Sequence, residues 1–404
     1  MKNKNLRIVI LTVILPITVR LFFLNFISNN IDPSIYGKIV LIEIYIIGIT
    51  SVLNSILYQA YDRFYNESNK EKFINEFRSY LIVINLISSL ILSIIGLFNG
   101  YSILLIIIVC AYACCMNNYL FFQNIYFINL KRKKFLVIKL VEGFIKFLFP
   151  IVSYYLFETI ESFLIGIIVG YAISNIIFKV FLKLNPLIFK VNKSNLIKYL
   201  KFGSPIILTS MFSWSISFVD RIFLEAIISI SIVGTYSILS QLSGFAQVIG
   251  SIYSTYINPI IFKNYSSNKK NTFKVLKRYL KILCFICFGM FIMICLIPKS
   301  VYGFIIAEDI IQNQTYYYSF LILTFGIFLA IFQTALSMYF ILIERLDIHS
   351  KIFSIAAILN FGLNFFIIKY GILAAAVSTA LAYLVINLLI LYWLKINLRL
   401  YQGT

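Results

Sequence analysis

Charged side chains within long apolar runs are the residues of this sequence best suited to do chemistry. Arg20 lies deep in the first such run, and Glu142 and Lys146 share a helix face in the fifth. A charge inside a bilayer costs about 2.5 kcal/mol or more, so it usually faces a cavity or a partner. We therefore predict that Arg20, Lys146 and Glu142 bind substrate. Pairing of Glu142 with Lys146, and snorkelling of Arg20 to the membrane surface, stay open as structural alternatives.

Two acidic residues are candidates for ion coupling. Glu43 lies in the second apolar run and Glu142 in the fifth. A carboxyl group within a membrane-spanning helix can exchange a proton or hold a cation during transport. Because Glu43 is near one end of its run, it can instead reach the membrane surface, and both interpretations stay open.

Four further polar residues lie in later apolar runs. Asp220 and Arg221 close the seventh run, and Asn360 and Asn364 share a face of the eleventh. Because adjacent helix residues point in different directions, we expect Asp220 and Arg221 to contact neighbouring helices rather than each other. Buried amides often join helices. All four are predicted to line the substrate path, with a structural clamp as the alternative.

The residue types that catalysis or metal binding needs are scarce. The six cysteines all lie in apolar runs, and Cys284 and Cys287 have neither a second pair nor a histidine near them. The one histidine, His349, lies in a short polar stretch that is predicted to be a solvated loop. The sequence therefore predicts no catalytic residue, no metal site and no cofactor.

The elements that must position these residues are membrane-spanning helices. The chain is 61% hydrophobic and only 12% charged, whereas a soluble protein carries roughly 25% charged residues. Apolar runs and polar breaks predict an all-α polytopic membrane protein with twelve spans. These are Ile8–Phe26, Tyr36–Ala60, Tyr80–Leu97, Ser102–Phe122, Phe135–Leu156, Phe163–Phe181, Gly203–Leu224, Val233–Ile257, Ile282–Ile297, Tyr316–Ile343, Ile352–Ile368 and Ile372–Leu394.

The distribution of Lys and Arg predicts the orientation. A net charge of +20 would indicate a nucleic-acid partner in a soluble protein. Here the basic residues are concentrated in every second loop, as expected when those loops are cytoplasmic. We therefore predict cytoplasmic termini and no nucleic-acid partner. The predicted external loops are short, and the longest is Pro298–Thr315.

A basic segment near the middle divides the spans into six and six. The predicted parts are an N-terminal bundle (1–182), a cytoplasmic linker (183–202) with amphipathic spacing suited to lipid headgroups, and a C-terminal bundle (203–404). The halves are faintly alike, because Tyr36 and Gly37 open the second span much as Gly234 and Tyr236 open the eighth. Parallel repeats around a cavity are a transporter architecture.

Several motifs, taken in order, carry a resemblance to a known family. Gly203-Ser204-Pro205 opens the seventh span, Asp220-Arg221 closes it, and Gly234-Thr235-Tyr236 follows. Further on come Pro259 with Lys263, Asn360 with Asn364, and Tyr370-Gly371 before Ala374-Ala375-Ala376; Asp62-Arg63-Phe64-Tyr65 precedes them all. This series resembles Wzx-type polysaccharide flippases of the multidrug/oligosaccharidyl-lipid/polysaccharide exporter superfamily. Leu373 departs from the family, in which a glycine is common at that place, and Arg20 lies deeper than the family's first-span arginine.

The resemblance implies a function. It predicts two six-helix bundles forming a V around a central cavity, in the inner membrane of a bacterium. An undecaprenyl-diphosphate-linked oligosaccharide would be flipped from the cytoplasmic to the outer leaflet for O-antigen, lipopolysaccharide or capsule synthesis. H⁺ or Na⁺ antiport is the implied coupling, and a polymerase and a chain-length regulator are the implied protein partners. Arg20 and Lys146 would hold the diphosphate, while the lipid tail stays in the membrane.

Three alternatives stay open. A multidrug or ion antiporter of the same superfamily would favour acidic residues in its cavity, of which this sequence has few. A polysaccharide polymerase or glycosyltransferase would need a large external loop, which the predicted topology lacks. A membrane scaffold would not need cations deep in its spans.

Overall fold

The fold is known from a computed structural model that describes residues 18–64, 70–128, 132–182, 186, 188–189, 191–267, 269–343 and 345–402. Sixteen helices and no strand occur in these ranges. They are α1 (18–30), α2 (Pro33–Phe64), α3 (Lys70–Phe98), α4 (Ile103–Ile128), α5 (Arg132–Phe157), α6 (Ile160–Leu182), α7 (Lys193–Ile227), α8 (Ile230–Ser243), α9 (Gln247–Ser267), α10 (Lys269–Leu296), α11 (Lys299–Gly303), α12 (Glu308–Gln312), α13 (Gln314–Leu342), α14 (Leu346–Asn364), α15 (Ile367–Tyr370) and α16 (Ile372–Gln402). The predicted all-α class is confirmed.

Ten segments of the described chain are long and apolar enough to cross a membrane. They correspond to ten of the twelve predicted spans, and the chain is a multi-pass membrane protein. The other two are only partly covered: the first is described from residue 18 onward, and the fifth lies in α5, whose apolar part is Ile145–Phe157.

Several elements differ from their predicted bounds. α3 and α10 begin well before the predicted spans, because their first turns are charged yet still helical. The predicted eighth span is interrupted by a 3₁₀ turn, Gly244–Ala246, between α8 and α9. The predicted external loop contains the short helices α11 and α12.

The chain forms two compact units. Unit 1 contains Met1–Gly37 and Ser215–Thr404, and unit 2 contains Lys38–Trp214. Consequently α2 begins in unit 1 and continues in unit 2, while α7 does the reverse. The predicted division into 1–182, 183–202 and 203–404 stays a prediction.

The first turns of α2 and α8 pack closely against each other in unit 1, and we call this contact the seam. Asp32 accepts hydrogen bonds from the Ser34 hydroxyl (2.5 Å) and backbone NH (2.7 Å), which hold the pKa of this carboxyl below its usual value and fix the start of α2. One turn on, a Cβ atom on Gly37 would overlap the Ile230 carbonyl oxygen, and one on Gly234 would overlap that of Pro33. Only glycine allows this reciprocal approach of α2 and α8.

In unit 2, α5 and α6 pack equally closely. A Cβ atom on Gly166 would lie 2.7 Å from the Phe149 carbonyl oxygen, and one on Gly170 would lie 3.2 Å from Lys146 Cα. The spacing of the two glycines gives α6 a small-residue face, as is common where membrane helices approach each other. This contact fixes the position of Lys146 relative to α6.

Candidate functional site

Arg20 on α1 is the centre of the first candidate site, which lies in unit 1. Its half-buried guanidinium lies 5.4 Å from the centre of the Phe245 ring and close enough to the Tyr36 hydroxyl for electrostatic attraction. Gln241 donates a hydrogen bond to that hydroxyl. No carboxylate of the described chain pairs with Arg20. Among the described residues, the groups around this cation are the Phe245 ring and neutral polar groups.

The 3₁₀ turn lies beside this guanidinium. A Cβ atom on Gly244 would be 3.2 Å from Arg20 Nη2, so the arginine fits against bare backbone. An anion placed here would meet a cation, a tyrosine hydroxyl and a side-chain amide.

The second candidate site lies in unit 2 and brings together two predicted residues. The Tyr112 hydroxyl donates a hydrogen bond to Glu43 Oε1 (3.0 Å), and Lys146 is near enough to attract that carboxylate electrostatically. Lys146 Nζ also lies 4.9 Å from the centre of the Tyr171 ring, which is 5.8 Å from that of Tyr112. A carboxylate, an ammonium group and two phenols from α2, α4, α5 and α6 therefore form one cluster.

Substrate binding and ion coupling by Glu142 stay predictions, as does the alternative that Glu142 pairs with Lys146. The backbone of Glu142 belongs to α5, but its side chain lies outside the described residues.

Asp220 and Arg221 contact each other, contrary to the expectation from the sequence. Arg221 Nη1 lies 2.9 Å from Asp220 Oδ1, and the backbone NH of Arg221 also donates to that oxygen (2.8 Å). The expectation was wrong because the arginine side chain is long enough to fold back along its own helix. Asp220 Oδ2 accepts from Tyr236 (2.6 Å) and Thr379 (3.1 Å), which lie on α8 and α16.

The guanidinium of Arg221 makes two further hydrogen bonds. Nη1 donates to the Ser217 carbonyl oxygen (2.8 Å), and Nη2 donates to Ser240 Oγ (2.7 Å). Asp220 and Arg221 are 1% and 6% exposed. These contacts join α7, α8 and α16 and leave little capacity for a ligand. Substrate contact by either residue stays a prediction.

Asn360 and Asn364 are fully buried between α14 and α16. Asn364 Nδ2 donates to Asn360 Oδ1 (3.3 Å), and Ser378 Oγ donates to Asn364 Oδ1 (2.8 Å). The second of these bonds joins the two helices. A role in substrate binding stays a prediction for both.

His349 is not in a solvated loop. It lies in the first turn of α14, where its Nε2 is 2.8 Å from Ser337 Oγ and its ring is 4.6 Å from that of Phe353. The stretch is helical because α14 begins at Leu346, before the apolar residues that suggested its start. Over the described residues, no three His, Cys, Asp or Glu side chains cluster as a metal site would require.

Sequence reasoning missed the aromatic residues of both sites. Tyr36 appeared as part of a repeat, and Tyr112 and Tyr171 did not stand out among 28 tyrosines. It also missed an amide chain in unit 2, in which Asn54 donates to Asn117 (2.7 Å) and Asn117 donates to Asn85 (2.8 Å). An amide or a hydroxyl inside an apolar run was the available signal, and it occurs at many positions.

Comparison with solved structures shows the class of fold. The chain is similar to a structure described as lipid II flippase MurJ in an inward closed conformation, with TM-score 0.72 and 18% identity over 95% of this chain and 86% of that one. It is also similar to an inward-facing multidrug resistance MATE family transporter of the MOP superfamily, with TM-score 0.73 and 12% identity over 98% and 99% of the two chains. No curated protein matches by sequence. The fold is that of these membrane transporters and flippases.

A sequence profile narrows the class to a family. The profile described as "Polysaccharide biosynthesis protein" matches residues 31–312, which is most of the chain. The chain therefore belongs to this polysaccharide biosynthesis protein family. The resemblance found in the sequence, to a membrane protein of polysaccharide biosynthesis with the fold of the MOP superfamily, is confirmed.

Proposed function

We propose that this protein is a flippase that moves an undecaprenyl-diphosphate-linked oligosaccharide from the cytoplasmic to the outer leaflet of a bacterial inner membrane. The oligosaccharide is a repeat unit for O-antigen or capsule synthesis. The family profile supports a place in polysaccharide biosynthesis. The likeness to a structure described as a lipid II flippase supports a lipid-linked substrate.

The observation that carries this proposal is the environment of Arg20. A cation in an apolar interior costs several kcal/mol, and an anion that binds there offsets that cost. No carboxylate among the described side chains pairs with Arg20, and an anionic ligand would supply the negative charge. A diphosphate suits a guanidinium especially well, because two oxygens can accept a bidentate pair of hydrogen bonds.

The cluster in unit 2 supports ion coupling. Glu43 is hydrogen-bonded to Tyr112 and lies near Lys146, so proton or Na⁺ binding at this carboxylate would weaken the hold on the ammonium group. Lys146 would then interact more weakly with Glu43 and more strongly with an anionic substrate. Binding of the coupling ion and binding of the diphosphate are thereby linked through one charge pair.

A multidrug or ion antiporter is the second candidate, and Glu43 is the observation that favours it. A half-buried carboxylate in an aromatic cluster is also a suitable site for an organic cation. The two candidates differ at Arg20, which repels a cationic substrate but attracts a diphosphate.

The experiment that tests the proposal is the leaflet distribution of lipid-linked repeat units in a strain deleted for this gene. We expect intact units to accumulate on the cytoplasmic leaflet and the surface glycan to disappear. The intact gene should restore transport. Arg20→Ala should not, whereas Lys369→Ala should, because it removes one exposed positive charge far along the chain from the site.

Each of the other outcomes would favour a different function or a different substrate site. Single units that reach the outer leaflet but are never joined would identify a polymerase. An unchanged glycan together with altered drug or ion sensitivity would favour the antiporter. Full restoration of transport by Arg20→Ala would show that the diphosphate is held elsewhere.

A further inference from the structure

An exposed apolar and basic surface precedes the membrane-spanning part of α7. We call residues 186–202 the interfacial segment, of which 186, 188–189 and 191–202 are described. Ile188 and Phe189 are 72% and 59% exposed, and Ile197 is 55% exposed. Three exposed lysines, Lys193, Lys198 and Lys201, lie in the same segment. Neither water nor a purely apolar environment suits this combination.

The backbone of the interfacial segment is held in place by polar residues of α3. Asn75 donates to the Ile188 carbonyl oxygen (2.6 Å) and accepts from the Ile188 NH (3.2 Å). The Tyr80 hydroxyl donates to the Asn192 carbonyl oxygen (3.0 Å). Hydrogen bonds thus position the backbone, while the apolar side chains of Ile188 and Phe189 stay exposed. The exposure is a feature of a fixed surface.

The first turns of α7 continue the same surface. Tyr199 is buried, with its ring 5.0 Å from that of Phe77 and 5.5 Å from that of Phe64. By helical spacing, Lys193, Ile197, Leu200 and Lys201 share the opposite face. This face presents aliphatic side chains between two lysines.

We propose that the interfacial segment binds the headgroup region of anionic phospholipids. Its aliphatic and aromatic side chains enter the boundary between headgroups and acyl chains, and Lys193 and Lys201 extend to the lipid phosphates. Lys198 Nζ lies 4.2 Å from the centre of the Phe64 ring. A lysine close to an anionic lipid surface contributes about 1 kcal/mol, so Lys193 and Lys201 together distinguish anionic from zwitterionic lipid. This surface shares no residue with the proposed transport sites, and the proposal of lipid binding does not depend on which substrate the protein carries.

The test uses the full-length protein carrying Ile197→Trp in vesicles of equal parts phosphatidylcholine and phosphatidylglycerol. One lipid at a time is brominated, and quenching of the introduced indole reports which lipid lies beside position 197. The parent protein, with its two natural tryptophans Trp214 and Trp393, supplies the background. We expect brominated phosphatidylglycerol to quench about fivefold more than brominated phosphatidylcholine, the factor that one lysine near the surface supplies.

Removal of the charge tests the lysines directly. Lys193→Gln, Lys198→Gln and Lys201→Gln together should abolish the preference for phosphatidylglycerol. The matched control is Lys274→Gln, Lys277→Gln and Lys281→Gln, which removes three exposed lysines from α10. The control should keep the preference.

Three results would overturn the proposal. Quenching by neither lipid would mean that the segment is in water, and equal quenching by both would mean that it does not select charge. Equal loss of preference in both triple variants would mean that total protein charge, and not this surface, attracts the lipid. None of these results bears on whether the protein transports a lipid-linked oligosaccharide.

Discussion

Two arginines of unit 1 have opposite environments. Arg221 is buried in a network that uses Asp220, Ser217 and Ser240 as acceptors. Arg20 contacts a phenylalanine ring and lies near a tyrosine hydroxyl, without a described carboxylate. The first arrangement stabilises three helices. In the second, the proposed function assigns the neutralisation of the charge to a ligand.

This difference shows that a charged residue in a membrane span is identified by its partners more than by its depth. Satisfied buried networks contribute to stability, whereas an unsatisfied charge is a cost that function explains. The comparison predicts that substitutions at the two arginine sites affect different properties. The four predictions below are ordered by their expected effect on stability.

The largest effect is expected for Asp220→Ala. This change leaves Arg221 buried without its counter-charge, which typically costs about 3–5 kcal/mol. We expect a strongly lowered melting temperature of the purified protein. Asp220→Ala combined with Arg221→Leu should recover most of the loss. If Asp220→Ala melts like the parent protein, the network is not a clamp.

A smaller loss is expected for Gly234→Ala, at the seam near Tyr36. A Cβ atom there would overlap the Pro33 carbonyl oxygen, and overpacking of this kind costs about 1–3 kcal/mol. The matched control is Gly289→Ala, because no atom lies within 4 Å of a Cβ atom there. The control should be neutral or stabilising by up to about 1 kcal/mol, from helix propensity. Thermal melting of both variants measures this difference. Equal effects would contradict the claim that the contact between α2 and α8 requires glycine.

Tyr112→Phe should lower stability modestly. It removes the hydrogen bond to Glu43, whose net contribution is about 1 kcal/mol. Tyr392→Phe is the control, since Tyr392 is 64% exposed. Tyr112→Phe should also change the ion dependence of transport, measured as uptake in vesicles over a range of Na⁺ concentrations and pH. If the transport profile is identical to that of the parent protein, the hydrogen bond between Tyr112 and Glu43 takes no part in ion coupling.

Arg20→Ala should have the smallest effect on stability. Removing a charge without a carboxylate partner should leave the free energy of unfolding within about 1 kcal/mol or raise it. The affinity for a short prenyl diphosphate, measured by calorimetry, should fall at least about tenfold. The reason is that a charge-assisted hydrogen bond contributes about 1.5–3 kcal/mol. Retained binding with lowered stability would reverse the comparison and make Arg20 the structural residue.

The sequence predicted the helices well, because a membrane span needs a long apolar run that composition alone reveals. Ten of the predicted spans have counterparts in the described chain. The interruption at Gly244–Ala246 could not be predicted in this way, because hydropathy does not change across it. The early starts of α3 and α10 were missed for the converse reason, since their first turns are polar but helical.

The candidate sites were predictable only in their charged members. Depth in a span marked Arg20, Glu43 and Lys146, but the partners of these residues come from distant parts of the chain. Tyr112 reaches Glu43 only because α4 packs beside α2. Whether a charge is neutralised therefore depends on tertiary contacts that neither spacing nor composition records.

The 3₁₀ turn has a consequence for local opening. Its backbone follows the i to i+3 hydrogen-bonding pattern, which has poorer geometry than that of an α-helix. The weakest backbone hydrogen bonds of this span therefore lie in its interior, whereas an ordinary helix frays at its ends. Amide hydrogens at Gly244–Gln247 should exchange with solvent faster than those of the turns on either side, and Arg20 lies beside the segment that opens first.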